Sequence, residues 1–157
     1  MRIASAADLT AKLGSGPWSG VTKLASIRER IKCADPENLR RTTLYVACQG
    51  GIVVGAVAAS TFPPGFWRRS YWSAGKEVGL GVFGLVVPPE LQRQGIGRFL
   101  MNSVEQLARE HQIGFVRLDA FLLNPFSVAF YQAVGYNKRV EIDLRGTGLI
   151  LFEKSIP

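Results

Sequence analysis

The order of elements in this 157-residue chain predicts an α/β fold, a single domain over residues 1–157 with a mixed, mostly antiparallel central sheet flanked by helices. Three observations carry that prediction. Residues 80–87 form a near-continuous apolar run broken only by Gly81 and Gly84, the pattern of a strand buried on both faces. The run passes through Pro88-Pro89 and the glycine pair Gly95 and Gly97 into a segment whose apolar residues recur at helical spacing. A strand, a helix and a hairpin then follow in turn.

Taken from the N-terminus, residues 3–6 suit a short strand, and a helix begins near Asp8. The turn-rich stretch 14–20, with Trp18, separates it from a second helix on which Leu24, Ile27, Ile31 and Ala34 share a face and which Pro36 ends. Residues 43–49 and 52–62 are β-branched and apolar, and Gly50-Gly51 between them signals a hairpin turn. Residues 63–76 make a long loop holding Phe66, Trp67, Arg68, Arg69, Tyr71 and Trp72. After strand 80–87 comes the glycine-started helix, with Ile96, Phe99, Leu100, Val104, Leu107 and Ala108 on one face and Arg98, Asn102, Glu105, Arg109 and Glu110 elsewhere. Strand 115–121 is expected to run parallel to 80–87 through that helix. Asn124 then caps a helix over 125–134, Pro125 suits its first position, and Gly135 suits the left-handed position past its end. Strands 138–144 and 149–154 close the chain as a hairpin around Gly146-Thr147-Gly148. There is no repeat or low-complexity segment.

Composition narrows the function classes. A content of 47% hydrophobic residues is ample for one core, no apolar stretch reaches the length of a bilayer span, and the N-terminus has no apolar signal core. A soluble, cytoplasmic protein without membrane attachment is expected. The two cysteines, Cys33 and Cys48, lack metal-ligand spacing and are expected to be buried, reduced thiols, so no metal is expected. His111, near a helix end, is expected only to cap it. The net charge of +7 is uneven: residues 1–76 hold eleven Lys/Arg against four Asp/Glu, and residues 77–157 hold eight of each. Lys23, Arg28, Arg30 and Lys32 are part of that excess, which would attract anionic partners or simply solvate a helix face.

The turn between strand 80–87 and its helix carries the chemistry. The first turn of a helix leaves backbone N–H groups without partners at the positive end of the dipole, and glycines let a pyrophosphate approach them. Gln92-Arg93-Gln94-Gly95-Ile96-Gly97 lacks the GK[ST] ending of a P-loop, and the third glycine and later acidic residue of a dinucleotide fingerprint. It does match Q/R-x-x-G-x-G/A. Downstream, Asn124-Pro-Phe-Ser-Val-Ala-Phe-Tyr131-Gln-Ala-Val-Gly135-Tyr136 is similar to N-x-x-A-x-x-x-Y-x-x-x-G-F, with Ser127 for alanine and Tyr136 for phenylalanine. On these two segments the chain resembles the GCN5-related N-acetyltransferase (GNAT) family over nearly its full length.

The resemblance implies the acyl-CoA N-acyltransferase fold, acetyl-CoA as cofactor and transfer to a primary amine. It implies that Leu85, Val86 and Val87 line the thioester, with backbone N–H groups near Val87 serving the oxyanion. Gln92, Arg93, Gln94, Gly95, Ile96, Gly97 and Arg98 would hold the pyrophosphate, and Asn124, Phe126 and Tyr131 the cofactor arm. Tyr131 would protonate the departing thiolate, for which a phenol near pKa 10 is suited. Many family members carry a glutamate on the fourth strand, but Phe83 and Gly84 stand there, which leaves Glu77, acting through water, as the candidate base. A weak base favours an α-amino group, with pKa near 8, over lysine near 10.4. For the acceptor, Trp67, Arg68, Arg69 and Tyr71 are candidates on one side and Trp18 on the other, since arginines beside aromatics clamp carboxylates or phosphates. A hydrophobic anchor or a homodimer contact explains the same loop. The expected acceptor is a small, acidic amine or an α-amino group. The alternatives are acetylation of aminoacyl-tRNA, with the basic half contacting phosphates, and a non-catalytic acyl-CoA- or RNA-binding module.

Overall fold

The structure, a computed structural model, describes residues 2–3, 42–73 and 78–157. The helices expected near Asp8 and over Leu24 to Ala34, together with Trp18, the lysines and arginines of that second helix, Cys33 and Glu77, lie outside the described residues. The chain forms two compact units, Met1–Phe62 with Gly84–Ser103 and Pro63–Phe83 with Val104–Pro157.

In the first unit β1 (Arg2–Ile3) pairs antiparallel with β2 (Thr43–Gln49), and β2 with β3 (Ile52–Ser60). Gly50 and Gly51 turn the hairpin at φ +54° and +78°, a left-handed conformation that side chains other than glycine resist. Thr43 to Ala47 are buried without alternation, as in a strand covered on both faces. Cys48 was expected to be buried, but the register slips between Ala47 and Cys48 and the thiol comes out exposed beside the turn. β4 (Leu80–Val86) enters this unit at Gly84, and α1 (Ile96–Glu110) begins against β3. A Cβ on Gly55 of β3 would come within 3.0 Å of Ile96 Cγ2 and of Leu100 Cδ1 and 3.2 Å of the Val86 carbonyl. The absence of a side chain there sets how closely the start of α1 seats on the strand.

In the second unit the start of β4 pairs parallel with β5 (Phe115–Phe121), β5 antiparallel with β7 (Thr147–Ser155), and β7 with β6 (Asn137–Leu144). The sheet is therefore mixed and mostly antiparallel, as the element order predicts. The β4–β5 ladder ends at Val82 and Leu118, and Gly84 at φ +57° follows at once. α2 (Pro125–Ala133) packs on β5 and β6. The last turn is tighter than expected, with Arg145 and Gly146 both left-handed and Thr147 and Gly148 already in β7.

The expected face of α1 also needs correcting. Phe99 is exposed, while Met101 and Glu105 are buried with Leu100, Val104 and Ala108. A buried carboxylate needs a partner, and Lys154 Nζ of β7 supplies it, 2.8 Å from each Glu105 oxygen and 2.9 Å from the Val134 carbonyl.

Candidate active site

In the first unit, the turn between β4 and α1 is built from local bonds. Leu91 N–H donates to Pro88 O at 2.9 Å and Gln92 N–H to Pro89 O at 3.2 Å. The Gln92 side-chain amide donates to Val87 O at 3.1 Å and that of Gln94 to Glu90 O at 3.2 Å. Both glutamine side chains thus brace the turn, and what they leave facing outward is backbone. Arg93 at φ +64° and Gly95 at φ +83° reverse the chain, and the helical ladder opens with Phe99 N–H on Gly95 O at 2.9 Å. The amides of Ile96, Gly97 and Arg98 in that first turn have no intrahelical acceptor. A Cβ built on Gly95 meets nothing within 4 Å, and Arg93 and Arg98 are exposed beside it. This arrangement fits a pyrophosphate: N–H groups converge at a dipole's positive end with two guanidinium groups at hand. Leu85, Val86 and Val87, ahead of the turn, are half-buried.

In the second unit, Tyr131 sits on α2 against Phe152 and Tyr136, with ring centroids 5.9 and 6.1 Å away. Asn124 caps the helix through Oδ1, which accepts from Ser127 N–H at 3.1 Å, leaving its Nδ2 hydrogens for another acceptor. Gly135 at φ +90° ends the helix, and Tyr136 N–H returns to the Tyr131 carbonyl at 3.0 Å. Phe126 is 79% exposed, one of four large apolar side chains in a short exposed stretch with Phe121, Leu122 and Leu123.

The sequence reading missed Asp119. It lies on β5, half-buried, and accepts a hydrogen bond from Trp67 Nε1 at 3.1 Å. Burial pushes its carboxyl up from the ordinary aspartate value, and the Trp67 bond pulls it back part of the way. Burial, then the negative charge of Asp119, pushes the Tyr131 hydroxyl up to about 12. Asp119 shares its face of the sheet with Leu151, and Tyr131 packs on Phe152, the next residue of β7, so the carboxylate reaches the phenol through its charge alone. The one signal in the sequence was a lone acidic residue inside an otherwise apolar strand end, Leu118-Asp119-Ala120-Phe121.

The aromatic loop divides. Trp67 and Trp72 are buried in a cluster with Leu149 and Leu151, and Tyr71 packs partly buried against it. Arg68 and Arg69 are exposed. Among the described residues no group of three or more His, Cys, Asp or Glu could hold a metal ion, and no helix is long and apolar enough to cross a membrane.

Solved structures share this fold. The ribosomal-protein-alanine N-acetyltransferase from Brucella melitensis superposes with a TM-score of 0.71 at 19% identity, over 98% of each chain. Ard1 from Thermoplasma volcanium gives 0.72 at 19% identity, over 99% of this chain and 96% of that one. An aminoglycoside 6'-N-acetyltransferase complexed with coenzyme A gives 0.66 at 17% identity, over 96% and 90%. At these identities the likeness is one of fold. No curated protein matches the chain. Residues 16–136 match the model of the acetyltransferase (GNAT) family, and the chain belongs to that family of acyl-CoA-dependent N-acetyltransferases.

Proposed function

We propose that the protein transfers the acetyl group of acetyl-CoA to the α-amino group of a small acceptor that carries a negative charge. The observation that carries this reading is the Asp119 carboxylate near the end of β5, half-buried and held through one oxygen by Trp67 Nε1 at 3.1 Å. Bound acetyl-CoA supplies an activated thioester, whose C–S bond is exchanged for the C–N bond of an amide. The exposed amides after Gly95, with Arg93 and Arg98, hold its pyrophosphate, and the Nδ2 group of Asn124 is free to bond its arm. Asp119 takes the proton that the acceptor nitrogen loses, and Tyr131 gives its hydroxyl proton to the departing sulfur. Glu77 is not needed for this proton path.

A carboxylate remains a weak base even when burial raises it, so an appreciable fraction of the amine must already be neutral near pH 7. An α-amino group, near pKa 8, is about one-tenth neutral there, and a lysine side chain near 10.4 is less than about one-thousandth neutral. The solved alanine N-acetyltransferase of the same fold is named for an α-amino acceptor, which supports the choice. Arg68 and Arg69 follow Trp67, the residue bonded to Asp119, and offer two exposed cations to an acceptor's carboxylate.

The test is thiol release from acetyl-CoA with a matched acceptor panel: the dipeptides Ala-Glu and Ala-Lys, and Nα-acetyllysine, which offers only its ε-amine. We expect kcat/KM for Ala-Glu to exceed that for the other two by about tenfold, the worth of one charged contact of roughly 1.4 kcal/mol. Equal or faster turnover of Nα-acetyllysine would overturn the proposal. Acceptance of aminoacyl-tRNA alone, lost steeply with added salt, would replace the small acceptor with a phosphate footprint.

A further inference from the structure

We propose that Trp67 is a positioning residue for the transfer, its indole N–H fixing the Asp119 carboxylate in the orientation that proton uptake requires. The inference rests on reading Asp119 as the proton acceptor.

The loop over residues 63–73 is a strap pinned at both ends to the sheet of the second unit. Near its start, Trp67 N–H closes a turn on Pro64 O at 3.0 Å, and the indole stacks on Phe83 with centroids 5.6 Å apart and planes at 29°. Trp72 meets it edge-on at 5.0 Å. At its end, Ser73 donates both its N–H, at 3.0 Å, and its hydroxyl to Glu153 Oε1 of β7. Glu153 Oε2 in turn accepts from Arg117 Nε of β5 at 2.9 Å.

Packing alone would account for a buried tryptophan ring, but not for where its single donor points. The N–H meets Oδ1 of Asp119, a partner 52 residues away in sequence. The bond holds one carboxylate oxygen, stops the group from rotating, and leaves Oδ2 for a proton. A neutral donor also favours the ionised carboxylate, opposing the burial that disfavours it. On the face of β5 that carries Asp119, two residues back, stands Arg117, whose guanidinium is engaged with Glu153 of β7, while Tyr131 packs on Phe152 of the opposite face and feels the carboxylate only through its charge.

Two measurements on the intact protein test this. The carboxyl carbon of Asp119 is titrated by 13C NMR in the wild type, Trp67→Phe and Trp72→Phe. The pH profile of kcat/KM is recorded for the same proteins with acetyl-CoA and Ala-Glu. In Trp67→Phe we expect the Asp119 midpoint and the acidic limb to move up together by about one pH unit, the size of one lost bond to a carboxylate. Trp72→Phe, which removes a ring from the same cluster but no bond to Asp119, should lower the melting temperature and leave both midpoints in place. An unmoved Asp119 midpoint in folded Trp67→Phe overturns the inference, even when Asp119→Asn abolishes turnover and the acceptor role stands. Full turnover in Asp119→Asn overturns that role and the inference with it. Should Trp67→Phe fail to fold, the wild-type Trp67 indole 1H–15N resonance decides. It should shift with the Asp119 midpoint and lose that titration in Asp119→Asn, and an indole signal that does not titrate overturns the inference.

Discussion

Tyr131 keeps its proton for two separate reasons, the apolar ring contacts with Phe152 and Tyr136 and the carboxylate charge of Asp119. With its hydroxyl pushed up to about 12, the residue stays a donor throughout the range in which proteins work, and its deprotonation cannot produce an alkaline limb below about pH 10. Replacing it by phenylalanine removes one oxygen and leaves the ring packing. We therefore expect Tyr131→Phe to bind acetyl-CoA with unchanged affinity by calorimetry and to lose about 100-fold in kcat, the usual worth of one proton donor. A loss confined to affinity would make the hydroxyl a cofactor ligand and remove it from the chemistry. Tyr131 could be found in the sequence because it has a fixed distance from a capped helix start and a left-handed glycine. Asp119 could not, because its partner Trp67 lies 52 residues away, and no local spacing records that meeting.

At the scale of elements, the parts most legible in the sequence were those whose rules are local. Strand 115–121 and helix 125–134 follow from alternation, an Asn-Pro start and a glycine stop, and the structure reproduces both to within a residue. The rotation of α1 was not legible. Glu105 turns inward because Lys154, 49 residues later, neutralises it, and hydrophobic periodicity does not see an ion pair. The loop over 63–76 offered either an acceptor wall or a hydrophobic anchor for the same reason: its tryptophans Trp67 and Trp72 are satisfied by distant strands, which no local pattern shows. The turn before α1 lies between these cases, since its glycines were visible but the inward use of Gln92 and Gln94 was not. That turn has a sharp test. At φ +83° any side chain on Gly95 costs roughly 1–2 kcal/mol of strain, yet a Cβ there would touch nothing. Gly95→Asp should therefore stay folded by circular dichroism, with a melting temperature a few degrees lower. Its acetyl-CoA affinity should fall by about 100-fold or more, because a carboxylate occupies the place of the pyrophosphate. Unchanged affinity would move the phosphate site elsewhere.

Over the whole molecule, two carboxylates with opposite shifts, Asp119 half-buried and Glu153 buried, predict how stability follows pH. Asp119 is raised by burial against the smaller pull of Trp67, so its folded value lies above the unfolded one. As pH falls through that folded value the native state takes up a proton before the unfolded state does, and stability rises. Glu153 is the reverse. Burial raises it, but the Ser73 hydroxyl, the Ser73 amide and Arg117 together outweigh burial and bring it below the ordinary glutamate value. Its contribution is fully present above the unfolded value and is lost as pH falls through the folded one. Melting temperature should therefore climb slightly on mild acidification and drop at lower pH, with the two limbs separable by mutation. Asp119→Asn, which still accepts from Trp67, should melt higher than wild type at pH 7 and lack the climb. Glu153→Gln keeps an acceptor for Ser73 but breaks a buried ion pair, so it should lose about 3 kcal/mol at pH 7 and show a flattened acid limb. Thermal melts of the three proteins from pH 7 to pH 3 decide the matter. If Asp119→Asn melts below wild type at pH 7, the carboxylate contributes to the fold and is not held there at its expense. The opposite outcome is the mark of a charge retained for chemistry, one that the native state tolerates at a cost in stability.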